Sequence, residues 1–202
     1  MTGGNTLWYL SRATGLVSLV LLTLTVLGGI LVRRGVTPNR LPRFVMWGLH
    51  RNVALLSVAF LGLHIATVVL DSYVPINLLD AVVPFTSAYR PIWLGLGAVA
   101  FDLLLAVIVT SLLRARIGHR TWRAVHWLGY ALWPTAVVHG LGTGSDVGNL
   151  WFLTVTAGCI LAVGAAVTWR LSATFQRSNA VRSSASGHAV ARPLATTSAG
   201  AR

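Results

Sequence analysis

The chain has 202 residues, of which 55% are hydrophobic and only 10% charged, with a mean hydropathy of +0.72. That is too little charge for the surface of a soluble domain, and the class it implies is a polytopic membrane protein. All sixteen basic residues are arginine, lysine and glutamate are absent, and the four acids are Asp71, Asp80, Asp102 and Asp146, for a net charge of +12. The arginines flank apolar runs instead of forming one basic face, so the partner for that charge is anionic membrane lipid and not nucleic acid. Arginine in place of lysine, with abundant Ala, Val and Gly, suggests a bacterial genome rich in G and C. Cys159 stands alone in an apolar run, which excludes a disulfide framework and a cysteine metal site.

Five apolar stretches reach the roughly 20 helical residues that a hydrocarbon core requires, near 7–32, 44–70, 91–113, 122–142 and 149–170. The first is too long for a signal peptide, is followed by no small-residue cleavage site, and ends on Arg33 and Arg34. Arg33, Arg34, Arg40 and Arg43 follow the first stretch; Arg114, Arg116, Arg120 and Arg123 follow the third; five more lie from Arg170 onward. The opposite side carries only Arg12 and Arg90, with Asp71, Asp80 and Asp146. The positive-inside rule therefore puts the N-terminus outside and the tail in the cytoplasm of a bacterial inner-membrane protein. Between the second and third stretches, Ile76 to Phe85 is mildly amphipathic and reads either as a short helix on the outer surface or as a plain connector. Residues 171–202, rich in Ser, Ala, Thr and Arg, read as a disordered basic tail. The expected fold is thus an all-α bundle of about five transmembrane helices over residues 1–170.

The second stretch carries His50 and His64, and the fourth carries His126 and His139. Separations of fourteen and thirteen residues are rises of roughly 21 and 20 Å. The two helices run in the same direction, so His50 and His126 share one depth near the cytoplasmic side, and His64 and His139 another near the outer side. Two facing imidazoles are a bis-histidine axial pair for haem iron, and here two such pairs stack along the membrane normal. Interhelical hydrogen bonding explains a lone membrane histidine well, but four at matched depths poorly. A zinc or copper site would want further ligands in each layer, and no Cys, Glu or Met cluster offers them. One point resists the simple picture: thirteen residues leave His139 well off the face of His126. Pro134, which frees the Tyr130 carbonyl, is either a kink that re-aims the outer half or merely tolerated.

Histidines thirteen or fourteen apart on each of two helices, with HR opening the first pair, resemble the ferric reductase-like transmembrane domain family. That family includes NADPH oxidases, ferric reductases and the haem subunit of the bacterial methionine sulfoxide reductase system. The stretches LWYLSRATG, LDSYVPINLLDAVVPFTSAYRPIWLGLGAVAFDLLLAVIVTSLLR and WRAVHWLGYALWPTAVVHGLGTGSD resemble its short bacterial members, over roughly residues 5–170. The resemblance implies two b haems, the inner held by His50 and His126, the outer by His64 and His139. Larger members have a helix before the first one here, and append flavin and NADPH domains that the thirty-odd residues after Arg170 cannot form. Electrons are then expected from a separate cytoplasmic flavoprotein or from quinol, and pass to an extracytoplasmic acceptor.

Arg51 and Arg12 stand as candidates for a haem propionate, since an arginine fork matches a carboxylate; snorkelling to headgroups is the other reading. Arg120 and Arg123 divide between the inner site and lipid anchoring. Asp102, inside an apolar run, serves either as a structural hydrogen-bond partner or in a proton relay. His119 and His188 are expected in solvent, and Trp47, Trp93, Trp127 and Trp133 either flank the haems or form an interfacial belt. The expected function is transmembrane electron transfer by a di-haem b-type cytochrome, the membrane subunit of an oxidoreductase. The alternatives are a single-haem, quinol-linked subunit and a non-redox transporter or assembly protein.

Overall fold

A computed structural model describes residues 3–34, 42–72 and 74–190. The chain is 85% helical with no strand among those residues. It divides into two compact units, Met1–Val163 and Gly164–Arg202, the division falling within the last helix. The helices are α1 (Gly3–Arg34), α2 (Arg43–Leu70), α3 (Leu78–Val82), α4 (Pro91–Leu112), α5 (Arg114–His126), α6 (Gly129–Thr143) and α7 (Leu150–Val190). Four of them contain runs long and apolar enough to cross a membrane: Thr6–Val32, Phe44–Leu70, Pro91–Leu112 and Leu150–Ser172.

The first unit is built from two antiparallel hairpins, α1 with α2 and α4 with α6, joined where α1 meets α6. Small residues allow the first hairpin to close. Ser11, Thr14 and Ser18 recur at helical spacing on α1 and are all buried. The hydroxyls of Thr14 and Ser18 bond the carbonyls of Leu10 and Thr14, so no polar group is left open to lipid. Trp133 of α6 is buried and donates its indole N–H to the Thr23 hydroxyl of α1 at 2.9 Å, linking the hairpins. At one end Arg12 of α1 forms an ion pair with the buried carboxylate of Asp146, in the segment between α6 and α7. On α7, Phe152, Thr156, Cys159 and Val163 form a buried stripe.

The segment after α2 is a built element. Asn77 and Asp80 form a reciprocal capping box around α3. Leu78 and Leu79, 63% and 71% exposed, turn their apolar faces outward. Phe85 lies over Gly95 of α4, where any Cβ would collide with its ring.

The fourth expected span, 122–142, is not one α-helix. Hydrogen bonds from Leu128 to Val125, Tyr130 to Trp127 and Ala131 to Leu128 are i→i+3 bonds. The dihedrals of Trp127 (−66°, −20°) and Leu128 (−61°, −19°) are those of a 3-10 turn. Further upstream Gly118, at φ 78° and ψ 158°, interrupts α5 in a conformation open in practice only to glycine. At the other end, α7 runs as helix into the stretch expected to be a disordered tail, as far as Val190. That part carries four alanines and has no proline before Pro193, which permits a helix despite its serines. Residues 191–202 and the side chains of Arg33, Arg34, Arg40, Arg43 and His188 lie outside the described residues.

Candidate cofactor site

The 3-10 turn resolves the thirteen-residue spacing. In a regular helix His139 would stand roughly 140° from His126. A 3-10 residue turns about 120° and rises about 2.0 Å, so four of them bring the separation to roughly 60° and the rise to about 21 Å. The fourteen α-helical residues from His50 to His64 give about 40° and 21 Å. The two histidine pairs are therefore nearly the same geometric object, made from different numbers of residues. Tight winding over 127–131 would by itself supply a rotation of this size.

Three of the four imidazoles are held in one manner. Nδ1 of His64 lies 2.8 Å from the Ser11 carbonyl oxygen, Nδ1 of His50 3.1 Å from that of Thr25, and Nδ1 of His139 2.8 Å from that of Trp93. A carbonyl only accepts, so each Nδ1 carries the proton and each Nε2 keeps its lone pair. The rings also lie against glycines. A Cβ on Gly15 would be 3.0 Å from His64, on Gly29 3.4 Å from His50, and on Gly97 2.6 Å from His139.

These glycines follow the accepting residues by four: Ser11 and Gly15, Thr25 and Gly29, Trp93 and Gly97. A helical side chain covers the turn before its own Cα. Glycine at i+4 uncovers the carbonyl at i, so that a donor from the neighbouring helix reaches it sideways.

His126 is held differently. Its ring lies 6.4 Å from that of His50, centroid to centroid, at 69°. Trp122 also stacks on it, with centroids 5.0 Å apart at 31°. Nδ1 of His126 is buried and has no hydrogen-bond partner among the described residues.

His64 and His139 line one open cleft of about 110 Å³, walled by apolar side chains such as Leu22, Leu61, Phe101 and Leu132, with Asp80 contributed by α3. Asp80 is already engaged, accepting from the Asn77 amide and the Thr86 hydroxyl. No group of three or more His, Cys, Asp or Glu side chains able to hold a metal ion occurs among the described residues. A bare zinc or copper ion therefore lacks its usual ligand set, whereas a metal bringing its own equatorial ligands would need only two imidazoles.

A model of one protein family, the ferric reductase like transmembrane component, matches residues 14–137, well over half of the chain. The chain belongs to the ferric reductase-like transmembrane family. No curated protein and no solved structure matches it. The matched stretch contains His50, His64 and His126 and stops two residues short of His139. Domains of this family are generally haem-binding and carry out transmembrane electron transfer.

Other residues singled out from the sequence are more scattered. Arg12 is engaged by Asp146 and stacks 4.0 Å over Trp8. Arg51, Arg120, Arg123 and His119 are exposed. Asp102 is partly buried in mid-α4 and does not line the cleft. Trp133 packs and bonds in the core, and Trp93 lies against Gly142. Trp93 touches His139 through its carbonyl, and Trp122, whose ring stacks on His126, was passed over by sequence reasoning, as were Gly15, Gly29 and Gly97. The signal for the glycines was present: each follows by four a residue at the depth of a histidine.

Proposed function

We propose that this ferric reductase-like chain carries electrons across a bacterial inner membrane through two b-type haems, one between His50 and His126, the other between His64 and His139. The observation that carries the reading is the shared anchoring of His50, His64 and His139, each with Nδ1–H on a carbonyl and Nε2 free to bind a metal. An anchored N–H fixes the tautomer and strengthens the opposite nitrogen as a ligand, the usual arrangement behind metal-binding histidines. The spacing agrees. Two imidazoles that hold one metal would have to stand close together, and the rings of His50 and His126 lie 6.4 Å apart, centroid to centroid. The apolar cleft between His64 and His139 suits a porphyrin face.

Bound haem supplies the one-electron iron couple. The protein's part is to ligate, orient and exclude. His50 and His126 define an inner position, and His64 and His139 an outer one about 21 Å further along the helices. Arg51, next to His50 in the chain, would meet a propionate on the inner side. Arg12 can do so on the outer side while still holding Asp146, because a guanidinium has five donors. No side chain acts as acid, base or nucleophile. The exposed arginines of α5 face the cytoplasm and attract an acidic flavoprotein donor, with quinol as the other source of electrons. The acceptor takes its electron beside residues 71–90. Residues 1–170 form this domain and 171–202 its cytoplasmic tail.

The test is haem per polypeptide with the reduced-minus-oxidised spectrum, for the native chain and His64→Ala. Two haems falling to one supports the two-layer path. One haem, unmoved by His64→Ala, leaves a single inner cytochrome linked to quinol. A colourless protein from haem-sufficient cells sinks the redox reading in favour of a transporter or assembly protein.

A further inference from the structure

We infer that residues 142–149, where α6 passes into α7, clamp the outer histidine pair, and that Arg90, Arg12 and Asp146 are positioning residues that set the separation of His64 and His139. The role in cofactor binding rests on the di-haem reading; the geometry does not. The two outer imidazoles belong to different hairpins. His64 of α2 is pinned to the Ser11 carbonyl of α1, and His139 of α6 to the Trp93 carbonyl of α4. Each ring is thus fixed within its own hairpin, and the gap between the rings depends on how the hairpins are held to each other. The Trp133–Thr23 bond joins them deeper in, since Thr23 stands twelve residues, or roughly 18 Å, along α1 from Ser11.

At the outer layer, residues 142–149 reach the neighbourhood of both anchors. Arg12, the residue after Ser11, sets its guanidinium fork on the Asp146 carboxylate, Nε on Oδ2 and Nη2 on Oδ1. Asp146 is buried and also accepts the Asn149 side-chain amide at 2.8 Å. The Arg12 guanidinium stacks 4.0 Å from the Trp8 ring, and the Trp8 carbonyl accepts the Ser11 hydroxyl at 2.8 Å. The pair is therefore braced by the same turn that presents the Ser11 carbonyl to His64. On the other hairpin, Arg90 donates to the Gly142 carbonyl at 2.9 Å. The Trp93 ring lies against Gly142, where a Cβ would fall 1.9 Å from it. Gly142 is three residues beyond His139, and Trp93 three beyond Arg90. One short stretch thus ties the turn that anchors His64 to the turn that anchors His139. Arg90 sits at φ 43° and ψ 58°, a left-handed conformation that glycine adopts freely and arginine only under strain. What arginine adds there over glycine is the guanidinium that reaches Gly142.

Arg90→Gly and Asp146→Leu separate positioning from stability, with Arg90→Lys as the conservative control. Spin labels at Leu63→Cys and Val138→Cys, both exposed and each next to an outer histidine, report the separation by double electron–electron resonance in the full-length protein with Cys159→Ser. The native distance distribution should be narrow, and Arg90→Gly and Asp146→Leu should broaden it. In the unlabelled protein, the outer haem should pass to excess apomyoglobin at least about threefold faster in those two variants, less than the tenfold or more expected for a direct anchoring partner. The inner haem should leave at its native rate. Arg90→Lys keeps a donor for Gly142 and should stay within about twofold of native. Glycine relieves the strained residue, so Arg90→Gly should lose the outer haem faster while unfolding no more easily than native, which a purely structural role does not allow. The inference is overturned if the label distances stay native in Arg90→Gly, if both haems are lost alike, or if Arg90→Lys and Arg90→Gly behave alike. Arg90→Gly decides even if Asp146→Leu fails to fold. A chain without haem whose label distances still broaden keeps the clamp and overturns the di-haem reading, whereas two haems with unmoved distances overturn the clamp alone.

Discussion

Gly97 stands where a Cβ would lie 2.6 Å from Cε1 and 2.7 Å from Nδ1 of His139, closer than real Cβ contacts come. Gly28, by contrast, leaves a Cβ 3.6 Å from His50, an ordinary contact. Two glycines beside histidines therefore carry opposite predictions. Gly97→Ala displaces the His139 ring and covers the Trp93 carbonyl, and should weaken cofactor retention at the outer site about 10–100-fold. Gly28→Ala should be retained at native haem content. Pigment per polypeptide measures both, and equal losses in the two variants would count against the anchoring argument. The Arg12–Asp146 pair gives a second prediction. Asp146 is only 6% exposed, so Asp146→Asn leaves the Arg12 charge poorly matched. The expected loss is about 2–3 kcal/mol in detergent unfolding, with Arg12→Met plus Asp146→Leu losing less than either change alone.

Among the elements, the 3-10 turn between α5 and α6 has the largest consequence for the site. Its tight winding is by itself enough, on ideal helix geometry, to bring His139 and His126 toward one face. Pro134→Ala should accordingly keep the outer haem. One alanine inserted after Leu128 should rotate His139 by about 100° and abolish the outer haem while sparing the inner. Spectra of the two variants separate these cases, and loss of the outer haem on Pro134→Ala would return the re-aiming to the kink. Gly118 is the other backbone device. At φ 78° and ψ 158°, alanine there should cost about 1–3 kcal/mol and disturb the placement of Trp122 below it in the chain.

For the whole molecule, the arrangement of charge decides which layer faces which compartment. All four exposed arginines of α5 lie at the His126 end, while the Arg12–Asp146 pair and α3 lie at the other. In the proposed orientation, which follows the positive-inside rule, the His50 and His126 layer faces the cytoplasm. In a background with the buried Cys159 replaced by serine, Ser145→Cys should react with a membrane-impermeant maleimide in intact cells, and Arg116→Cys only after permeabilisation. The reverse pattern would invert the molecule and the direction of electron flow with it.

Much of this protein is written in its chain directly. Hydrophobic run length specified the helices, because lipid forces every backbone group into internal hydrogen bonds and leaves helix as the form such runs take. The counts of fourteen and thirteen put four histidines at two depths, since as helix the two spacings rise within about 2 Å of each other. What the chain alone did not decide was orientation about the helix axis and the contacts between helices. Thirteen residues equal fourteen only after a 3-10 turn whose i→i+3 bonds carry no mark in WLGYA. Ser11, Thr25 and Trp93 become ligand anchors only because α2 and α6 approach α1 and α4 closely enough for an imidazole to reach a backbone oxygen. The carbonyl is common to every residue, so its use is invisible until packing selects it. Packing likewise made the Trp122 ring, and not a main-chain oxygen, the neighbour of His126.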